Sequence, residues 1–152
     1  MSTYQQVLND LTSAMKSRDA DKATVLRSLK ANFQEKEISM RTGGGAVELK
    51  EEEVVQVLMK AAKQRRDSLD QYEKAGREDL AATERYELQI IESYLPKMMD
   101  ENEIKDLVQQ TAVSVGASSP SDMGKLMGAL MPKVKGKADG ALVNRIVREF
   151  LS

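Results

Sequence analysis

Apolar residues recur along this chain at the three-to-four-residue spacing of amphipathic helices, and the pattern predicts about seven of them and no strand. Tyr4, Val7, Leu8, Leu11 and Met15 mark a first helix, for which Thr3 is a side-chain cap. A break at Arg18-Asp-Ala-Asp21 precedes a second helix carrying Val25, Leu26, Leu29, Phe33 and Ile38. The glycines Gly43–Gly45 interrupt the pattern. They follow no strand and lack a Gly-Lys-Ser/Thr ending, so they read as a flexible loop and not as a phosphate cradle.

A third helix is predicted from Glu51 to Ala75, with Glu51, Glu52 and Glu53 where the helix dipole favours negative charge. Its inward stripe is Val54, Val55, Leu58, Ala61, Ala62, Leu69 and Tyr72, and Gly76 supplies the left-handed residue that ends it. Asp79 is expected to cap a fourth helix bearing Leu80, Leu88, Ile91 and Leu95, closed by Pro96. A fresh start follows at once: Asp100 and Glu103 form a capping-box pair ahead of Ile104, Leu107, Val108, Thr111 and Val115, and Gly116 stops that helix. Ser119, Pro120 and Asp122 announce a sixth helix, and Asp139 a seventh with inward positions Leu142, Val143, Ile146, Val147 and Phe150. The expectation is an all-α chain in two parts, a four-helix bundle over 1–97 and a three-helix unit over 98–152.

Composition narrows the chemistry. With 41% hydrophobic and 31% charged residues and no apolar run long enough to span a bilayer, the 152 residues read as soluble, globular and without a membrane partner. The first residues lack a basic segment followed by an apolar one, so no secretory signal is expected and a cytoplasmic location is. The absence of cysteine and histidine removes disulfides, thiolate nucleophiles, the commonest general base and the commonest metal ligands. No metal and no cofactor is expected.

Charge is distributed unevenly. Residues 1–116 hold 17 Lys+Arg against 21 Asp+Glu, whereas residues 117–152 hold 6 against 3. Lys125, Lys133, Lys135, Lys137, Arg145 and Arg148 therefore form a candidate patch for an anionic partner such as RNA, the alternative being a solvated face. Lys133, Lys135 and Lys137 surround Pro132 and Gly136 in what reads as an exposed turn between two helices. A second basic cluster, Lys60, Lys63 and Arg66, shares one face of the third helix, with Asp67, Asp70 and Glu73 following closely enough for internal pairing to account for part of it.

Two features of the sixth helix stay ambiguous. Met123, Met127 and Met131, beside Leu126 and Leu130, make a stripe suited to core packing or to an adaptable partner surface. Gly124 and Gly128 share a face, and glycine inside a helix costs about 1 kcal/mol relative to alanine. That cost suggests a close approach there, by a neighbouring helix or by a bound partner.

Several separated motifs now fall in order: Lys63-Gln-Arg-Arg-Asp-Ser-Leu-Asp-Gln-Tyr-Glu-Lys-Ala-Gly-Arg-Glu-Asp-Leu80, Tyr94-Leu-Pro96, Gly116-Ala-Ser-Ser119, Asp122-Met-Gly-Lys-Leu-Met-Gly-Ala-Leu-Met-Pro-Lys133 and Gly136-Lys-Ala-Asp-Gly140. In these the chain resembles the YqeY family, free-standing relatives of the C-terminal region of GatB, the B subunit of the glutamine-dependent aminoacyl-tRNA amidotransferase. The resemblance implies a two-part all-helical fold and, as partners, tRNA or a tRNA-charging or amidotransferase complex. It makes Gly124, Lys125, Gly128, Lys133, Lys135, Lys137, Asp139 and Gly140 candidates for tRNA contact or for support of the contacting loop, with Gly136 beside them. No residue becomes catalytic. The chain lacks the nucleotide-binding cradle and the Ser-Ser-Lys amidase machinery, so the family association with carbon–nitrogen ligation using glutamine as amide donor describes a complex. The isolated chain is expected to consume neither ATP nor glutamine. The alternative to an RNA-binding module is a protein adaptor that docks on such enzymes without touching RNA. Ser118-Ser119 after Gly116 reads as a helix cap and not as an amidase serine.

Overall fold

The computed structural model describes residues 1–152 as seven α-helices, one 3-10 turn and no strand. α1 (Thr3–Lys16) starts one residue earlier than expected, with Ser2 as its cap: the Ser2 hydroxyl accepts from the Gln5 N–H at 3.2 Å. Thr3 instead spends its N–H and hydroxyl on the Glu51 carboxylate at the start of α3 (Glu51–Lys74). Arg18 is the one non-glycine residue in the left-handed region, at φ 60°, and it turns the chain so that Asp19 can cap α2 (Ala20–Ser39). Gly76, at φ 70°, ends α3. α4 (Glu78–Glu92) corrects the expectation at both ends. Asp79 lies inside its first turn with its carboxylate on Arg77, so it is no cap. The helix gives way before Pro96 to tighter turns, in which the Tyr94 and Leu95 N–H groups donate to the Ile91 and Glu92 carbonyls, since the residue ahead of a proline disfavours helical geometry.

Residues 1–95 and 96–152 form two compact units. The first is built on Val7 and Leu11 of α1, Leu26, Leu29 and Phe33 of α2, Val54 and Leu58 of α3, and Ile91 of α4. Two stripe positions fail. Met15 is exposed while Ala14 fills the inward place, and Ile38 is exposed near the end of α2. Leu69 and Tyr72 are half-buried, because α3 outruns the core beneath its second half. Two tyrosines fasten α1: Tyr4 donates to Glu37 at 2.5 Å and stacks obliquely on Phe33, and Tyr94 donates to Asp10 at 2.5 Å. Burial, reinforced by the Glu37 carboxylate, pushes the Tyr4 phenol up to about 12. Arg65 points inward, its Nε 2.8 Å from Glu87 and within reach of Ser28, while burial and the Glu87 charge raise the neighbouring Glu84 carboxyl.

In the second unit, α5 (Glu101–Val115), the 3-10 turn Pro120–Asp122, α6 (Met123–Val134) and α7 (Gly140–Leu151) surround Ile104, Val108, Leu126, Leu130, Val143 and Val147. The starts are those the sequence signals: the Asp100–Glu103 capping box, the Ser119–Asp122 box with Pro120 at the first position, and Asp139 accepting from the Ala141 N–H at 3.1 Å. Ser119 is thus tied into a cap. At the chain end Leu151, not Phe150, is inward: it lies four residues from Val147 and eight from Val143, on the same stripe, and leaves Phe150 exposed on the flank.

Limited proteolysis is expected to cut first in Gly43–Gly45, where the glycines are exposed and nothing packs on them, or in the irregular stretch Pro96–Asp100. Mass spectrometry of the first fragments checks this. A first cut inside residues 55–70 would overturn the division at 95–96.

Candidate nucleic-acid interface

The structure sorts the six C-terminal cations into groups. The ion pairs of residues 96–152 are Lys105–Glu101, Arg145–Glu101 and Arg145–Glu149. Arg145 is therefore no open member of a patch: its fork spans Glu101 on α5 and Glu149 on its own helix, each at 3.0 Å. That hydrogen bond and charge hold the Glu101 carboxyl below the ordinary carboxylate range. Glu101 lies 44 residues away in sequence, which is why the basic run looked unopposed. Dividing the chain at residue 95 gives the second unit 8 Lys+Arg against 7 Asp+Glu, because the acids of α5 belong with it.

Lys125, Lys133, Lys135, Lys137 and Arg148 pair with no carboxylate. All five are exposed. The connection that carries two of them is shorter than expected. α6 continues through Pro132 to Val134, so Lys133 sits in the last helical turn, its ammonium 3.4 Å from the Thr111 hydroxyl on α5. Only Lys135 and Lys137 lie in the connection proper. It is well anchored: Gly136 is buried at φ 73°, Ala138 is buried, and the Lys137 carbonyl accepts from the Met99 N–H at 2.8 Å. The side chains of Lys135 and Lys137 thus project from a fixed backbone.

α6 buries Leu126, Leu130 and Val134 and half-buries Met123 and Met127 against the core, which gives two of the three methionines a packing role. Its opposite face carries Gly124, Gly128 and Pro132 at four-residue steps, flanked by Lys125 and by Met131, which is 40% exposed. A Cβ on Gly124 or Gly128 would meet nothing within 4 Å. No neighbouring helix of this chain approaches them. Pro132 brings no N–H to the Gly128 carbonyl one turn back, so the regular helical bond is missing on this face and its backbone is bare of side chains at two glycines. At the N-terminal end of the same region, the Ser118 and Ser119 N–H groups hold the Asp122 carboxyl below its usual range. Asp139 and Gly140 form the start of α7 and serve the local backbone, with nothing packed over Gly140.

The second cluster divides similarly. Arg66 reaches Glu92 of α4 at 3.7 Å, while Lys60 and Lys63 pair with no carboxylate. Internal pairing accounts for little of it: Asp70 goes to Lys74 and Glu73 to Arg85. No group of three acidic, histidine or cysteine side chains converges to hold a metal, and no helix is long and apolar enough to cross a membrane.

The family described as Yqey-like protein matches residues 4–151. Among curated proteins, the chain is 37% identical over 86 residues to Altered inheritance of mitochondria protein 41, mitochondrial, of Eremothecium gossypii, which covers 57% of this chain and 45% of that protein. It is 28% identical over 151 residues to the protein of the same name from Saccharomyces cerevisiae, covering 93% of this chain and 79% of that protein. A shorter match joins it to a glutamyl-tRNA(Gln) amidotransferase subunit of Methanobrevibacter smithii, 48% identical over 48 residues, which are 32% of this chain and 8% of that protein. The cytoplasmic location expected from the N-terminal residues is overturned by these relatives, since the yeast proteins are named as mitochondrial.

Proposed function

Because the chain belongs to the Yqey-like protein family, we propose that it is a helical RNA-binding module, with tRNA the favoured ligand and no catalytic role of its own. The observation that carries this reading is the conjunction on residues 123–148 of five unpaired cations with a helix face of exposed, unpacked glycines. Ammonium groups on a fixed connection suit phosphates, and bare backbone lets a ribose or phosphate approach closely. The relative named as a component of a glutamyl-tRNA(Gln) amidotransferase gives tRNA its precedence over other RNAs. With aromatic residues at 4%, recognition rests on shape and phosphates more than on base stacking. Arg145 is a clamp between α7 and α5 in this reading and touches no RNA.

A gel-shift series with total tRNA and duplex DNA across a range of salt concentrations tests the proposal. Retention of tRNA, weakening steeply with salt and exceeding that of DNA, is the expected result. Equal retention of both or of neither would refute it. The adaptor reading has one observation in its favour, the exposed Met131 beside the glycines, and a partner retained after RNase treatment would establish it instead.

Gly128 separates fold from function. Replacing it by alanine meets open space in a helix interior, so stability should rise by about 0.5–1 kcal/mol. Binding of tRNA should weaken in the same variant, because a methyl group then covers the face. Urea unfolding and the gel shift measure the two effects; a stabilised variant with unaltered binding would remove the glycine face from the interface.

A further inference from the structure

We infer that the groove between α2 and α3 is a second binding site, one that takes an unpaired nucleotide together with its phosphate. Its link to RNA rests on the reading above. The groove has a volume of about 470 Å³, within the range of about 300–1,000 Å³ typical of small-ligand sites. Two polar stripes face each other across it, Asn32, Lys36 and Ser39 from α2 and Gln56, Lys60 and Gln64 from α3. Val57, half-buried, and Ala61, buried, supply apolar surface between them.

The groove gathers ammonium and carboxamide groups that are free within the chain, as the cations Lys22, Arg27 and Lys63 elsewhere in residues 1–95 also are. Arg65, Arg66, Lys74, Arg77 and Arg85 each hold a carboxylate. Lys36 and Lys60 hold none, although Glu35 also lines the groove. The carboxamides of Asn32, Gln56 and Gln64 neither donate nor accept within the chain, which leaves them free for a ligand. A carboxamide offers a donor and an acceptor side by side, the combination that reads the edge of a base, adenine above all. An ammonium group is a point charge suited to a phosphate oxygen. Carboxamides and two unpaired ammonium groups around an apolar strip therefore fit a base edge, a sugar face and a phosphate. Base edges locked in a duplex do not enter such a groove, so the occupant is a single-stranded residue or a free nucleotide.

The full chain, isotopically labelled, is titrated with AMP, with a four-residue oligoadenylate and with total tRNA, followed by amide and side-chain carboxamide NMR shifts. Oligoadenylate is expected to move the Asn32, Gln56 and Gln64 carboxamide signals. Lys36→Ala with Lys60→Ala should weaken that binding by about tenfold or more and lower its salt slope by about 0.7 for each phosphate no longer neutralised. Gln56→Ala with Gln64→Ala should weaken it while leaving the salt slope in place. AMP moving the same signals as strongly as the oligomer identifies a free nucleotide as the occupant; a clear preference for the oligomer identifies a strand. Shifts caused by tRNA only in residues 123–148, with the groove silent to all three probes, would overturn this site and leave the proposed function standing. Groove shifts with oligoadenylate but no tRNA binding would support the site and sink the tRNA reading.

Discussion

Replacing Leu126 and Leu130 by alanine is expected to unfold residues 96–152 while residues 1–95 keep their structure. Both leucines are fully buried in the core of the second unit, on successive turns of α6. Each Leu→Ala change of this kind costs about 2–5 kcal/mol, the forfeited transfer energy plus the cavity left behind. A single core of this size supplies only about 3–5 kcal/mol in all. The double loss therefore exceeds what the unit has, even allowing for coupling between neighbours. Far-UV circular dichroism should fall by about the share contributed by α5, α6 and α7, roughly one third of the helical residues. Hydrogen exchange should become fast throughout 96–152 and stay slow around Leu29, Phe33 and Leu58. Loss of protection in both units at once would show that they do not fold independently.

The second large effect concerns binding. Replacing Lys133, Lys135 and Lys137 together by alanine should lower the slope of log affinity against log salt by about 0.7–0.9 for each phosphate left without its cation, so by roughly 2–3 if all three engage. Affinity for different tRNAs should drop by similar factors, because phosphate contacts position the ligand and do not read sequence. Stability should hardly change. The three side chains are exposed, the one contact they give up is the long 3.4 Å bond from Lys133 to Thr111, and the backbone contacts that fix the connection, Lys137 C=O with Met99 N–H among them, do not depend on the side chains. Arg145→Ala is the control that should leave the salt slope in place, since its guanidinium is already spent on Glu101 and Glu149. An unchanged slope in a folded triple variant would reduce the patch to a solvated face.

The helices were legible in the sequence because their signals are local. Asp100 with Glu103, Ser119 with Asp122, Gly76 and Gly116 each act within one turn of the backbone they satisfy, and the structure uses all of them. Where two local signals competed, sequence order did not decide. Ser2 and Thr3 are adjacent potential caps, and the choice went to Ser2 because Thr3 had Glu51 to bind. Pro132 reads in the sequence as part of the turn between two helices, yet α6 runs through it, held by Leu130 and Val134 on the core side. The candidate interface was legible only in part for a different reason. Which cations are neutralised is a long-range matter: the Arg145–Glu101 and Arg66–Glu92 pairs join residues far apart in the chain. Of the α2–α3 groove the sequence marks only Lys60, through the basic cluster it shares with Lys63 and Arg66, because carboxamides and lysines on one helix face look like an ordinary solvated surface until a second helix faces them.

The tyrosines that fasten α1 have one more consequence. All four, Tyr4, Tyr72, Tyr86 and Tyr94, lie in residues 1–95, and the chain has no tryptophan. Tyrosine fluorescence therefore sees the first unit alone, and the second, whose one aromatic residue is Phe150, is dark to it. The protein carries its own one-sided reporter: denaturation followed by tyrosine emission traces residues 1–95, and any earlier or later transition in backbone ellipticity belongs to residues 96–152, with no label attached to either.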